Sequence, residues 1–218
     1  MDRGRGRAQR GAARPVALIG AGLGIGTVLL VLVLGQRSDD DALRSTRSAE
    51  VVPAADCLAP EVLDAFGLRL DAVLATAGAH EPAPAAGRVP SSFSPVGVVV
   101  CQAGGTLRDG SGTWSVVTAT TREGTATAIA ALQAALDGAP APVAPSGRPS
   151  TCSTSPTDRV ELWLVDSMGR AVRPQTPTDG CGRPTEAVRH ALDALTVTDQ
   201  SDAPVSLVAP ATPAPTGR

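Results

Sequence analysis

Val96 to Gln102 (VGVVVCQ) and Thr113 to Thr121 (TWSVVTATT) face each other across the turn-forming stretch Arg108-Asp109-Gly110-Ser111-Gly112. Both segments are rich in β-branched residues, which favour the pleated backbone of a strand, and glycine and aspartate at the crossing favour a turn. The composition of the first segment fits a strand that is buried. Together they predict a pair of strands joined as a β-hairpin. Val160, Leu162 and Leu164 alternate with Glu161, Trp163 and Val165 and predict another strand. Asp166-Ser167-Met168-Gly169 then turns the chain into Arg170–Arg173, a second hairpin.

Helical spacing surrounds these strands. Pro60 suits a first helical turn, and Val62, Leu63, Phe66, Leu70, Val73 and Leu74 follow on one face, with Gly67 weakening the run and Gly78 suiting its end. Ile129, Leu132 and Leu136 predict a helix from Glu123 to Leu136, with Thr121 as N-cap and Gly138 as terminator. Val188, Ala191, Leu192 and Leu195 form the apolar stripe of a last helix over Thr185–Leu195. Residues 79–95, with four prolines, and 138–158 read as loops. The order α-β-β-α-β-β-α predicts an α+β domain, about three helices on an antiparallel sheet.

Upstream, Val16–Gly35 (VALIGAGLGIGTVLLVLVLG) carries no charge. At about 1.5 Å rise per residue, it spans the roughly 30 Å hydrocarbon core of a bilayer. Arg3, Arg5, Arg7, Arg10 and Arg14 precede it against the single acid Asp2, and Asp39, Asp40 and Asp41 follow. Positive charge stays inside, so the N-terminus is expected in the cytoplasm. The apolar run is longer than that of a secretory signal and ends in Leu34-Gly35-Gln36-Arg37-Ser38, a poor cleavage site, which favours an uncleaved anchor. The expected organisation is a basic cytoplasmic tail at 1–14, a transmembrane helix at 15–35, a linker at 36–56, an extracytoplasmic domain at 57–200 and a flexible Ala/Pro-rich tail at 201–218.

Within the anchor, Val16-Ala17-Leu18-Ile19-Gly20-Ala21-Gly22-Leu23-Gly24-Ile25-Gly26 looks like the nucleotide-binding opening of short-chain dehydrogenases. Thr27–Leu34, however, is apolar all round where such an enzyme needs an amphipathic helix, and the chain has neither Tyr nor Lys for that family's catalytic pair. No cofactor is expected. The glycines have a simpler use: Gly20 with Gly24, and Gly22 with Gly26, place small residues on one face where a second membrane helix packs closely. A homodimer through the membrane helix is the expectation that follows.

The net charge of −2, with five arginines and Asp2 giving the basic tail +4, leaves the rest of the chain at −6. An acidic outer region argues against nucleic acid as partner. Phe66, Phe93, Trp114 and Trp163 are the only aromatics and suit burial more than a stacking platform. Cys57, Cys101, Cys152 and Cys181 all follow the anchor, and an even number in an oxidising compartment predicts two disulfides. The hairpin at Asp166–Gly169 favours Cys152 with Cys181, leaving Cys57 with Cys101, although four cysteines allow three connectivities. No Cys-x-x-Cys occurs and His80 and His190 are isolated, so no metal site is expected.

From Cys152 to Cys181 the chain carries Leu162-Trp163-Leu164-Val165-Asp166 before Gly169-Arg170, then Cys181-Gly182 ahead of a helix. This resembles a pattern in uncharacterised, single-pass membrane-anchored extracytoplasmic proteins of actinobacteria. The resemblance covers about thirty residues; it implies a fold layout and an envelope location, and no activity or functional residue.

No residue is assigned a catalytic role. His190 stands opposite the Val188/Leu192 stripe beside Glu186 and Asp193, where an exposed helix face explains it. Glu161 and Asp166 flank a hairpin as a glycosidase pair would, but Glu161 falls on the expected solvent face. Arg170, Arg173 and Arg159 would form a basic patch for an anionic wall polymer or lipid head group, or simply a solvated sheet surface. No Gly-x-Ser-x-Gly occurs. Two function classes remain: a non-catalytic envelope module held at the cytoplasmic membrane that binds an envelope protein or wall component, and, as alternative, an enzyme acting on wall or secreted material. The inner tail is too short to fold as a signalling domain.

The predicted topology is tested on intact protoplasts of the native cells. External protease should digest the outer domain and spare the basic tail; mature protein in the medium beginning near residue 36–40 would show a cleaved signal instead.

Overall fold

A computed structural model describes residues 47–76, 80–139 and 159–211. The basic tail, the expected membrane segment with Gly20, Gly22, Gly24 and Gly26, and Cys152 lie outside the described residues. Among the described residues, no helix is long and apolar enough to cross a membrane.

The chain builds β1 (Val51–Val52), α1 (Pro60–Ala65), α2 (Ala72–Ala75), β2 (Pro95–Asp109), β3 (Gly112–Glu123), α3 (Ala126–Leu136), β4 (Val160–Asp166), β5 (Ala171–Val172), α4 (Glu186–Asp193) and β6 (Thr196–Pro210). The six strands form one antiparallel sheet in the order β1-β5-β4-β2-β3-β6. The fold is therefore α+β. The central hairpin forms as its composition predicts. Asp109 pairs with Gly112, and the Asp109 carboxylate accepts from the Ser111 and Gly112 amides at 2.8 and 3.0 Å.

Both faces of the sheet are covered, which explains the unbroken apolar run in β2. Side chains alternate along a strand. Val98 and Val100 of β2, Leu162 and Leu164 of β4 and Val172 of β5 enter a core closed by Ile129, Leu132 and Leu136 of α3 and Val188, Ala191 and Leu192 of α4. The intervening residues Val99, Cys101 and Ala103 of β2 and Trp163 of β4 enter a second core with Val62 and Leu63 of α1, Phe66 and Val205. The Cys57–Cys101 disulfide, with Cα atoms 5.4 Å apart, staples the cover of this second core to the central strand. Closing a loop of 44 residues stabilises the domain by about 4 kcal/mol in the chain-entropy account.

Several expected boundaries are corrected. The domain does not stop at residue 200. β6 pairs with β3 from Thr196, opposite Glu123, to Pro210, opposite Gly112, and Val205 is completely buried. Residues 201–210, expected in the flexible tail, thus form most of an edge strand. Their Asp, Ser and Pro content suits a protected edge as well as a tail. Pro204 sits where the register with β3 shifts, so its missing N–H interrupts little of the ladder. At the other end, part of the expected linker is folded: Ala49 is buried, its amide donates to the Arg88 carbonyl at 2.8 Å, and β1 pairs with β5. The helical run after Pro60 divides in two. Gly67, at φ +70, separates α1 from α2, whose N-cap Asp71 accepts from the Val73 amide. Helix α3 is capped by Thr125, which accepts from the Ala128 amide, rather than by Thr121, because β3 runs on to Glu123.

A chain ending at Gln200 removes the burial of Val205 and most of β3's outer pairing. Its urea midpoint should fall well below that of the full chain, or the domain should fail to fold; an unchanged midpoint would mean that residues 201–210 are tail after all.

Candidate functional site

The segment between β4 and α4 uses one turn twice. In Asp166-Ser167-Met168-Gly169-Arg170, the Asp166 carboxylate accepts from the Met168 and Arg170 amides at 2.9 and 3.0 Å and from the Arg170 Nε at 2.8 Å. In Asp179-Gly180-Cys181-Gly182-Arg183, Asp179 accepts from the Cys181 and Arg183 amides at 2.8 and 3.0 Å and from the Arg183 Nε at 2.9 Å. The backbones match too, since the aspartate amide donates to the arginine carbonyl in each. Gly169 and Gly182 have φ of +79 and +75, the left-handed geometry that closes a three-residue turn and that a side chain disfavours.

Burial opposes ionisation of Asp166 and Asp179, but the arginine guanidinium and the two amides outweigh it, and each carboxyl is held below its ordinary range. These carboxylates are therefore ionised turn anchors, ill suited to exchange protons near neutral pH.

The arginines expected to share a basic patch are dispersed. Arg170 is paired with Asp166 at 2.7 Å. Arg173 is buried and holds Glu161 through both Nε and a terminal nitrogen, at 2.9 and 2.7 Å. Arg159 donates to the Ala65 carbonyl at 3.3 Å. Glu161 is consequently a structural counter-ion, its side chain largely covered at 23 % exposure, not a residue on an open solvent face. His190 is exposed, with no side-chain hydrogen bond to Glu186 or Asp193 among the described residues. His80 Nδ1 lies 2.8 Å from the Asp56 carboxylate, next to the stapled Cys57, and fastens the segment after α2 to that before α1. Cys181 is disulfide-bonded, while its expected partner Cys152 lies outside the described residues.

The second turn, α4 and the sheet enclose a cleft of about 380 Å³. Its floor and walls are Val100, Val160, Pro184 and Leu192, and its polar lining is Gln102, Arg122, Asp179, Arg183, Arg189 and Asp193. The register explains the convergence. Arg122 of β3 lies opposite Val98 of β2, so it shares the face of Val100 and Gln102 that α4 covers. Arg122 donates to the Leu192 carbonyl at 2.9 Å and lies 3.7 Å from the Asp193 carboxylate, anchoring the C-terminal end of α4. Its buried Nε has no acceptor among the described residues. Arg183 is taken by Asp179, whereas the Arg189 guanidinium has no ion pair among the described residues.

The sequence reading passed over Gln102, Arg122, Asp179, Arg183 and Arg189. The repeated Asp-x-x-Gly-Arg spacing at 166–170 and 179–183 was the available signal for one side of the cleft. Among the described residues, no three His, Cys, Asp or Glu side chains converge as metal ligands. No family model, curated protein or solved structure matches the chain.

Removing one partner of a buried ion pair leaves a charge without its counter-ion, so Glu161→Ala should destabilise the domain by about 3 kcal/mol. His190→Ala, at an exposed position, should change stability by no more than about 0.5 kcal/mol. Urea midpoints of the two variants test this; equal losses would contradict the placement of Glu161. Because Asp166 and Asp179 titrate lower folded than unfolded, their contribution is complete above about pH 4 and is lost as pH falls through the folded values. An Asp166→Asn, Asp179→Asn variant should show a shallower acid limb in a plot of urea midpoint against pH; an acid limb as steep as that of the unaltered chain would contradict this.

Proposed function

We propose that this chain is a membrane-anchored extracytoplasmic module that binds a component of the cell envelope and does not transform it. The observation that carries the proposal is the chemistry of the cleft beside α4. Its polar lining consists of guanidinium groups, an amide and two carboxylates, one of which, Asp179, is fastened in a turn. Nucleophilic catalysis by a hydroxyl, thiol or amine needs a Ser, Cys, Thr or Lys within reach of a base, and general acid–base catalysis needs a group titrating near the working pH. Among the described residues the cleft lining includes no Ser, Cys, Thr, Lys or His, and Asp179 is fastened in its turn and titrates below the usual carboxyl range. Arginines around an apolar floor suit recognition.

Location is part of the same proposal. The uncharged run at 15–35 behind five arginines supports an N-in, C-out anchor. The Cys57–Cys101 disulfide suits an oxidising compartment outside the membrane. The likeness of the Cys152–Cys181 stretch to anchored actinobacterial envelope proteins points the same way. Gly20, Gly22, Gly24 and Gly26 would bring two anchors together as a homodimer.

A photo-reactive residue at Glu186, in the exposed first turn of α4, tests the binding function in native cells. Irradiation should give a discrete adduct with one envelope component, and purified full chain should leave that component chemically unchanged. Conversion of the component into product by the purified chain would establish an enzyme and overturn the proposal.

A further inference from the structure

The cleft beside α4 contains hydrogen-bond donors that no acceptor among the described residues satisfies. The Arg122 Nε is enclosed and has no such acceptor. The Arg189 guanidinium, on the exposed rim, has no ion pair among the described residues, and the half-buried Gln102 amide has no hydrogen bond there. Buried donors are almost always paired, by protein, water or ligand. Three guanidinium groups, of Arg122, Arg183 and Arg189, face two carboxylates, of Asp179 and Asp193, so the lining carries an excess of one positive charge.

From these observations we infer that the cleft binds the free carboxylate of a peptide whose last residue is small and aliphatic. The inference rests on the binding function proposed above and names its ligand chemistry. A carboxylate presents two oxygens to a guanidinium fork in matched geometry. Its single charge equals the excess in the lining, whereas a phosphate dianion would exceed it and be pressed against Asp179 and Asp193. The carboxylate meets Arg189 at the rim and draws the Arg122 guanidinium toward it. The aliphatic side chain lies on Val100, Val160, Pro184 and Leu192, and the Gln102 amide pairs with the peptide group that precedes the last residue. A volume of about 380 Å³ is at the lower end of ligand clefts, which run from about 300 to 1,000 Å³, and suits the last one or two residues of a chain. Such ends occur on secreted proteins, with L residues, and on peptide cross-links of wall polymers, with D residues. Both share this chemistry.

Full-length chain in detergent micelles, isotope-labelled for NMR, is titrated with N-acetyl-Ala-Ala in L and D forms, with the C-terminal amide of each, and with inorganic phosphate. The acid form should bind saturably with a dissociation constant near or below about 1 mM, a weak but specific affinity for one charged end. Amide shifts should centre on Gln102, Arg122, Arg189 and Leu192. The amidated peptide should bind at least about tenfold more weakly, as expected when charge-assisted hydrogen bonds are lost. Arg189→Gln should cost about tenfold without disturbing the rest of the spectrum, and His190→Ala should cost nothing. Preference for the L or the D acid assigns the source. Equal binding of acid and amide, stronger binding of phosphate, insensitivity to Arg189→Gln, or no saturation below about 10 mM would each overturn the inference. Those results with the Glu186 adduct still formed would leave the binding function standing, whereas chemical turnover of the captured component would remove that function while leaving carboxylate binding intact.

Discussion

Everything in this domain leans on β2, because that one strand is the wall shared by two cores. Val98 and Val100 close the core under α3 and α4, while Val99, Cys101 and Ala103 close the core under α1. Antiparallel sheets commonly leave one face to water. Covering both faces obliges β2 and its neighbour β4 to be apolar at nearly every position, and it fixes their register from two sides, since a one-residue slip would exchange the two sets. The second core has the smaller helical cover, the six-residue α1, and a covalent link from Cys57 to Cys101 compensates for its brevity.

The charges follow from the same architecture. Once the sheet is covered, side chains that would be solvent-facing in an open sheet are enclosed, and each ionic group needs a partner. Glu161 and Arg173 are tied to each other, and the two Asp-x-x-Gly-Arg turns tie Asp166 to Arg170 and Asp179 to Arg183. At the open end of the α4 face, Arg122, Gln102 and Arg189 meet over an apolar floor. The site is thus the part of that face that the short helix α4 does not cover.

The fold was legible where a local pattern coincided with the final environment. The β2–β3 hairpin, β4 and the buried stripes of α3 and α4 could be read from β-branched runs, a turn dipeptide and helical spacing. β6 could not, because Thr196–Pro210 is a strand through its pairing with β3 and has little propensity of its own; Asp199, Asp202 and Pro204 are equally at home in a tail. Glu161 and Arg173 looked solvent-facing because alternation tells one face from the other but not whether the second face is covered. The disulfide Cys57–Cys101 was reachable by pairing the other two cysteines across a hairpin. The cleft was not, since its residues come from β2, β3, β4, a turn and α4, and only the sheet order brings them together.

Native-state hydrogen exchange of the full chain in detergent tests most directly whether β2 is the shared wall of both cores. Amides of Val98–Gln102 and Leu162–Leu164 should exchange only through global unfolding and show the highest protection in the domain. Those of α1 and α2 should open at lower free energy. Exchange at Val98–Gln102 as fast as in α2, or as fast as at the exposed ribbon end Thr106–Asp109, would contradict the account.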